Sequence, residues 1–437
     1  MKTIMERVIS ELTDNKAEGD LILTTSKSLK MSVQNYLLSE YKVSSTQILG
    51  VRVIKDQKVG ISYTESLDED SLKTMIRQAL ENAETADENI YEQIQSLSGE
   101  VMDVQIPVQE DVKTEDKIKN VLELEAHPKR LDKRVQAVPY NGYSEHDVES
   151  HYLSSKGRYG LYTDQAYSIW SSVLLSEGDK KATYYDFHQA HRFGDLNWKK
   201  VVENSVSFAQ QILQEQTIPT GQYQVMLTTD ALSNLLGVFS RVFSAKATKD
   251  KVNPWGEKLG SVVASADITI EDHPLFPKTF RVSKFDDEGV ERRPLKLVEN
   301  GELRSFYHNS VTAHYFKTQT TGHGSRSATG TLGVDGTTLV ITGKNAKPKP
   351  TRYLEIIQLD GLHAGTNAIT GDFSLPVKGF VWENGEKVKT FGNVTLGGNF
   401  YEMLKNVEVG GEELIASTGQ SFFSVPLIFN SLSIAGS

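Results

Sequence analysis

A single apolar helix pattern, set among strand patterns, constrains the fold of this chain more than any other feature. Residues 230–245 read DALSNLLGVFSRVFSA, and their large apolar side chains recur at helical spacing. Thr229 or Asp230 can cap the start of this helix. The sequence that follows favours β-strands, so the helix is expected to lie buried inside a β-rich domain. No His, Asp, Glu or Cys follows Asp230 on any face of the helix, which leaves it without a catalytic side chain.

The first 218 residues carry helix and strand patterns in an order that occurs twice. An opening helix over 4–14 precedes strands, a hairpin turn at 55–58 and a helix that begins at a Ser66–Glu69 capping box. An acidic, poorly periodic stretch at 86–118 is predicted to be a linker, and three more strands and a helix follow. Because identity between the copies is faint, an internal duplication and two unrelated units of similar plan both stay open. The strand patterns lie at 21–25, 31–39, 47–54, 59–64, 147–154, 166–176 and 182–190, and the last helix at 196–213.

The remaining residues are predicted to form one antiparallel β-rich domain around the helix at 230–245. The segment IPTG at 218–221 marks its start, and Asn-Gly dipeptides at 300–301 and 384–385 predict two hairpin turns. The fold class is therefore α+β, with an N-terminal α+β region followed by a C-terminal β-rich domain with a buried helix. Further strands are expected at 223–228, 339–342, 353–359 and 421–428.

Length and composition indicate a globular protein with two or three domains. The chain has 437 residues, too many for one simple core, with 38% hydrophobic and 24% charged residues. We place an N-terminal α+β unit at 1–100, a linker with a second α+β unit at 101–218, and the β-rich domain at 219–437.

Charge and residue usage exclude several classes of partner. The formal net charge of −10 argues against nucleic-acid binding, which calls for a basic surface. The apolar runs are too short to cross a membrane, and the N-terminus is amphipathic and acidic rather than a secretory signal, so a cytoplasmic location is expected. The absence of cysteine excludes disulfides, thiolate zinc ligands and cysteine nucleophiles.

Three C-terminal segments carry a resemblance to a known family. They read FDDEGVERRPLKLVENGEL at 285–303, TNAITGDFSLPVKGFVWENGE at 366–386 and TLGGNFYEML at 395–404. In this order and spacing they resemble the TldD/PmbA family of zinc peptidases, in whose active subunits the helix equivalent to 230–245 carries HExxxH. This chain has Gly237, Val238 and Val242 where that motif places His, Glu and His. It is therefore similar to the PmbA (TldE) branch, which lacks the motif.

The resemblance implies a role within a peptidase system. In that family the two branches are understood to form a heteromeric zinc-dependent peptidase for small or unfolded peptides, with metal and catalytic residues on the TldD-type chain. We therefore expect a non-catalytic subunit without a cofactor, zinc in a TldD-type partner, and a homodimer as a further form. The label "modulator of DNA gyrase", given to some members, finds no support in the charge of this chain. A stand-alone hydrolase with an unrecognised site and a self-associating peptide-binding protein are the alternatives.

A dense carboxylate cluster is the first candidate for a binding site. Asp286, Asp287 and Glu288 are consecutive and precede Gly289. The cluster could hold a hard cation or the amino end of a peptide. It could equally form a tight turn in which the Asp side chains bond the backbone and Gly289 takes a positive φ. The sequence leaves both interpretations open.

Glycine-rich loops supply the other candidates. His323 and His363 lie in two such loops and could converge with the acidic cluster, while Thr370 and Asp372 could line a substrate cleft or bond backbone amides. No catalytic residue and no metal ligand is assigned to this chain. Gly237 costs about 1 kcal/mol relative to Ala in a helix, so close packing of another backbone against it is expected.

Overall fold

The computed structural model describes residues 1–104 and 112–436. Its N-terminal half contains four helices: α1 (Lys2–Asp14), α2 (Glu69–Thr85), α3 (Thr114–Leu131) and α4 (Trp198–Leu213). Its strands are β1 (Glu18–Gln34), β2 (Leu37–Lys55), β3 (Lys58–Thr64), β4 (Gly99–Val104), β5 (Val135–Ser154), β6 (Arg158–Glu177) and β7 (Lys180–Ala190).

These strands form one seven-stranded sheet. Its order is β3-β2-β1-β5-β6-β4, with β7 also paired to β6, and among its described strand pairs only β4 and β6 run parallel. A helix, three antiparallel strands and a second helix occur twice, and the two copies join through β1 and β5. The repeated plan predicted from the sequence is therefore present, within a single sheet rather than two separate ones.

Three sequence predictions in this half are wrong in detail. Helix α2 is capped by Asp68, whose carboxylate accepts the Ser71 amide at 2.9 Å, and not by the predicted Ser66–Glu69 capping box. The pattern at 31–39 is not one strand, because Asn35 and Tyr36 take left-handed φ values of 54° and 62° and form the turn between β1 and β2. The predicted linker at 86–118 contains β4 and the start of α3, and its residues 105–111 lie outside the described residues. Acidic side chains on β4 hid its alternation, while pairing with β6 holds it in place.

The outer edge of β2 is left partly open. β3 pairs with β2 only over Leu49–Lys55, so in the described structure residues 37–48 have no strand neighbour on that side. In the second copy, β4 and β7 together cover most of the corresponding edge of β6. The two copies therefore differ in how much unpaired backbone they expose.

The C-terminal half is β-rich and contains short helices. These are α5 (Thr229–Phe239), α6 (Ala245–Lys249), α7 (Ser310–Phe316) and α8 (Phe400–Lys405). Within the described residues, no helix combines the length and the apolar character that a membrane span requires. The strands are β8 (Gly221–Leu227), β9 (Ile268–Asp272), β10 (Leu295–Glu299), β11 (Glu302–Leu303), β12 (Gly324–Ser325), β13 (Gly333–Val334), β14 (Leu339–Gly343), β15 (Arg352–Leu359), β16 (Asp372–Glu383), β17 (Glu386–Asn399), β18 (Val407–Val409), β19 (Ile415–Ala416), β20 (Phe422–Ser424) and β21 (Leu427–Ala435).

Two six-stranded sheets enclose α5. One has the order β17-β16-β15-β8-β21-β18 and closes through β17 and β21 into a barrel-like sheet; the other has the order β11-β10-β9-β14-β20-β19. Most pairs are antiparallel, and β8–β15 and β14–β20 are parallel. Residues of both sheets and the apolar face of α5 share one core. The α+β class, with its antiparallel C-terminal domain and buried helix, is confirmed.

In this half the two predicted hairpin turns are confirmed and one predicted strand is wrong. Both Asn-Gly hairpins are confirmed, with φ values of 48° and 81° at Asn300 and Gly301 and of 52° and 82° at Asn384 and Gly385. The predicted strand at 421–428 is wrong. Its halves are β20 and β21, which belong to different sheets, and they separate at Pro426, which has no N–H to donate to a ladder.

Candidate functional site

A cavity of about 600 Å³ lies beside the C-terminal end of α5. Thr228 caps the helix through its hydroxyl oxygen, which accepts a hydrogen bond from the Ala231 amide at 3.4 Å. At the other end, Phe239 stacks on Phe400 with ring centroids 4.3 Å apart, and a 3₁₀ turn at Ser240–Phe243 follows. The apolar face of α5 thus anchors it in the core, while Val238 and residues of the 3₁₀ turn line the cavity.

The residues in the register of HExxxH offer no metal donor. Gly237 is exposed, Val238 is half-buried, and Val242 is buried in the 3₁₀ turn. Zinc in proteins is bound by nitrogen, sulfur or oxygen atoms of side chains, and these three residues have none. Across residues 1–104 and 112–436, no group of three or more His, Cys, Asp or Glu is placed to hold a metal ion. The side chains of this site therefore do not fit the zinc that the resemblance implies for active subunits.

Close packing does not explain Gly237, which corrects the expectation from the sequence. Apart from its own helix, no described heavy atom lies within 4 Å of the position that a Cβ would occupy. The residue faces open space because this side of α5 points away from the core.

Gly237→Ala is therefore expected to raise the free energy of unfolding by about 0.5–1 kcal/mol, because Ala loses less conformational entropy in a helix and meets no obstacle here. Urea unfolding measures the change. Gly50→Ala is the contrasting variant, since its Cβ would lie 1.6 Å from the carbonyl oxygen of Ala328, and it is expected to destabilise the chain. A destabilised Gly237→Ala would contradict the open geometry.

A buried polar network forms the inner side of the same cavity. The Asp272 carboxylate accepts hydrogen bonds from the Tyr307 hydroxyl at 3.1 Å and the Thr337 amide at 2.6 Å, and it pairs with His323 Nε2 at 3.2 Å. Burial raises the pKa of Asp272, but its partners, led by His323, outweigh this and lower it. His323 is fully buried and its Nδ1 contacts Thr321 Oγ1 at 2.9 Å. The structure thus places this predicted histidine in a network behind the cavity wall.

The acidic cluster at 286–288 is a tight turn with its side chains directed inward. Asp286 Oδ1 accepts the backbone amides of Glu288 and Val290, each at 2.9 Å, and its Oδ2 accepts the Gly324 amide at 2.8 Å. Gly289 takes a φ of 72°, as the turn interpretation requires. The cluster therefore lies against the loop that follows His323, and its role in binding stays a prediction.

Burial raises the pKa of all three carboxyl groups in this turn. For Asp286, burial and the charge of Glu288 raise the pKa to about 7, against the amides that lower it. Burial also raises the pKa of Asp287 and of Glu288; for Glu288 the charge of Arg52 opposes the shift. Glu288 accepts hydrogen bonds from the amide and the hydroxyl of Ser310. The buried carboxyl groups of Asp286 and Glu288 interact, so ionisation of one disfavours ionisation of the other.

A buried ion cluster joins the two halves of the chain and was not predicted from the sequence. Asp20 on β1 binds Arg52 on β2 at 2.6 Å and Arg326 of the C-terminal half at 2.6 Å. Arg52 also approaches Glu288 at 3.5 Å. The available signal was Arg52 within the apolar run Ile48–Ile54 of β2, since a charge buried in such a run needs a partner.

The other predicted site residues are exposed and lie away from the cluster at 286–288. His363 is exposed, and so are Thr370 and Asp372, which precede or begin β16. Thr370 Oγ1 accepts the Asp372 amide at 3.3 Å, and the Asn399 side-chain amide donates to the Asp372 carboxylate at 2.8 Å. These bonds with Asn399 and Thr370 lower the pKa of Asp372. The structure therefore separates the predicted residues into a buried group near 286–288 and an exposed group near 363–372.

Family models match nearly the whole chain. They describe domain 1 of the PmbA/TldA metallopeptidases at residues 19–83, their central domain at 107–213 and their C-terminal domain at 220–436. The chain belongs to the PmbA/TldD family. The resemblance stated from the sequence is thereby confirmed, and the chain is a metallopeptidase-like protein of the PmbA/TldD type.

Individual relatives of the PmbA/TldD type are distant in sequence and match most or all of the chain length. A protein named metalloprotease PmbA homolog from Haemophilus influenzae is 22% identical over 415 residues, which span 90% of this chain and 86% of the relative. TldE from Thermococcus kodakarensis has the same fold, with a TM-score of 0.87 at 22% identity, covering 99% of this chain and 100% of that one. A Thermotoga maritima protein described as a candidate modulator of a DNA gyrase also shares the fold, with a TM-score of 0.87 at 23% identity and coverage of 99% and 100%.

Proposed function

We propose that this chain is a non-catalytic PmbA/TldE-type subunit, which pairs with a zinc-bearing TldD-type chain to form a peptidase. The proposal rests on the residues in the register of HExxxH, which are Gly237, Val238 and Val242. Their side chains cannot bind zinc or take a proton from bound water. The partner would supply the metal, and this chain would shape the chamber in which small or unfolded peptides are cut or matured in the cytoplasm.

The cavity beside α5 supports a role in shaping such a chamber. Its volume of about 600 Å³ is in the range of pockets that hold small molecules or short peptide segments. The Asp272 network fixes Tyr307 and Thr337 in its wall, so part of the cavity wall is held by buried hydrogen bonds.

The open edge of β2 supports a contact through backbone hydrogen bonds. In the described part of the chain, residues 37–48 have no strand partner on the side away from β1, and Leu37, Tyr41 and Val43 on this strand are 71%, 50% and 67% exposed. An exposed edge of this kind pairs readily with another extended chain, with little dependence on its sequence. A peptide or a partner subunit is the occupant that the proposal expects.

The deciding experiment compares the purified chain alone with a mixture of this chain and a HExxxH-bearing relative from the same source. We expect the lone chain to bind no stoichiometric zinc and to cut no peptide, and the mixture to hydrolyse short peptides faster than the relative alone. Metal analysis and a fluorogenic peptide assay give the two readouts.

Two results would contradict the proposal. Stoichiometric metal with peptidase activity in the lone chain would favour the stand-alone hydrolase, with His323 and the 286–288 cluster as its first candidates. An unchanged rate on mixing would favour the self-associating peptide-binding protein. The relative mixed with an unrelated acidic protein is the control for non-specific stabilisation.

A further inference from the structure

A second cavity, of about 510 Å³, lies between the first α+β unit and the C-terminal half. Lys246 and Asp250 line both this cavity and the one beside α5, so the two adjoin across α6. Arg52 and Glu92 line it from the N-terminal side, and Lys249 lines it from α6. Charged groups from both halves of the chain therefore line one partly open cavity.

Two cationic groups in this cavity have donors that the protein does not satisfy. Arg52 is 1% exposed, and its Nη1 has no hydrogen-bond partner among the described residues; the Glu92 carboxylate is 3.7 Å away, beyond hydrogen-bond distance. In the part of the chain that the structure describes, Lys249 Nζ makes no hydrogen bond or ion pair, and it lies 5.6 Å from the ring centroid of Tyr315. A buried guanidinium N–H without an acceptor is costly, so a bound acceptor would stabilise this arrangement.

Among the described residues, Lys249 is the cation of the lining whose charge has no paired acid. The cations Arg52, Lys246 and Lys249 line the cavity with the acids Glu92 and Asp250, and Asp20 and Glu288 balance the charge of Arg52 from behind the wall. Lys246 is already paired with Asp250 at 2.8 Å. Burial raises the pKa of Glu92, which reduces its share of negative charge. Arg52 and Lys249 are the groups left to bind an anion.

The rest of the lining combines apolar and polar side chains. Val59 and Ile61 from β3 and Val311 and Leu332 from the C-terminal half are apolar, whereas Asn89, Asn309, Thr312 and Thr331 are polar. An inorganic anion would leave the apolar side chains uncovered, whereas an organic acid with an apolar part would bury them. The lining therefore suits a carboxylate that is attached to a group with both apolar and polar parts.

We propose that this cavity binds the C-terminal carboxylate of a short peptide whose last side chain is apolar. Arg52 Nη1 and Lys249 Nζ donate hydrogen bonds to the carboxylate, and Val59, Ile61, Val311 and Leu332 contact the last side chain. The choice of a peptide, rather than another organic acid, rests on the proposed role in a peptidase chamber. The site deepens that role, since it would orient a peptide by its carboxyl end next to the cavity beside α5.

Isothermal titration calorimetry on the full chain alone tests the site. The probes are N-acetyl-Ala-Leu with a free carboxylate and the same dipeptide as its C-terminal amide, so that only the carboxylate differs. We expect the acid to bind about 10-fold more tightly than the amide. Lys249→Met is expected to reduce affinity for the acid by about 5- to 20-fold without changing that for the amide, and Lys249→Arg to retain most of it.

Lys349→Met is the matched control, because Lys349 is exposed and lies outside the cavity lining. Equal binding of acid and amide, no binding of either, or equal losses from the Lys249 and Lys349 variants would overturn the proposal. Hexanoic acid binding as tightly as the dipeptide acid would assign the cavity to free carboxylic acids and would also overturn it. The partner-mixing assay keeps the two proposals apart: a chain that activates its partner but binds no carboxylate refutes only this site.

Discussion

Replacing Asp20 with Asn is expected to lower the free energy of unfolding by about 3–5 kcal/mol, the range for breaking a buried ion pair. Asp20 is fully buried and accepts hydrogen bonds from Arg52 Nη2 and Arg326 Nη2, each at 2.6 Å, and from Arg52 Nε at 3.2 Å. Asn keeps the shape but brings no charge, and its amide group points donors at two guanidinium groups. Arg52 would then keep only its longer contacts with Glu288 at 3.5 Å and Glu92 at 3.7 Å, and Arg326 would lose its carboxylate partner.

Urea unfolding followed by tryptophan fluorescence measures this loss. The matched control is Glu69→Gln, which removes an exposed ion pair with Lys73 at 2.6 Å and is expected to leave stability almost unchanged, because solvent screens this pair. Because Asp20 links β1 to Arg326 of the C-terminal half, the Asp20 variant should also become more sensitive to proteolysis at low urea. A loss no larger than that of Glu69→Gln would show that the buried cluster does not hold the two halves together.

Asp286→Asn is expected to change how stability depends on pH. Burial and the charge of Glu288 raise the pKa of Asp286 in the folded chain to about 7, above the ordinary value of 3.8. At low pH the carboxyl is protonated in both states and carries no penalty. As pH rises from about 4 to 7, the unfolded chain releases this proton while the folded chain retains it, so stability falls across that window and stays low above it.

The variant does not titrate at this position, so it should lose less stability on going from pH 4.5 to pH 8. We expect the difference in unfolding free energy between variant and unsubstituted chain to shift in favour of the variant by about 2–4 kcal/mol. Taking the difference cancels groups that do not interact with Asp286, such as Asp20 and Asp272, whose lowered pKa values act in the opposite direction. Asp87→Asn, at an exposed position, is the control and should run parallel to the unsubstituted chain. A constant difference for Asp286→Asn across this range would contradict a raised pKa.

Local chemistry made parts of this fold predictable. The apolar spacing of 230–245 predicted α5, although the α-helix ends at Phe239 and a 3₁₀ turn follows. Asn-Gly dipeptides predicted both hairpin turns because Asn and Gly tolerate left-handed φ values. The turn at Asn35-Tyr36 escaped notice because a bulky Tyr rarely adopts that conformation.

The candidate site was less predictable than the fold. The sequence singled out 286–288 and His323, and the structure does bring Asp286 into contact with the backbone next to His323. It did not indicate that His323 would pair with Asp272, or that His363 and Asp372 would be exposed. Such outcomes depend on contacts between residues far apart in the chain, for which spacing along the sequence gives no signal.

The family, the α+β class and the absence of zinc ligands in the register of HExxxH could be predicted from the sequence alone. Motif order, apolar periodicity and residue identity are properties of short segments of the chain. Only the tertiary structure decided that both N-terminal units share one sheet and that Asp20, Arg52 and Arg326 meet. It also decided which donors were left without partners. Burial and electrostatic pairing depend on how the chain packs. The sequence of a strand is the same whether a charged side chain on it contacts water, a carboxylate or a cavity.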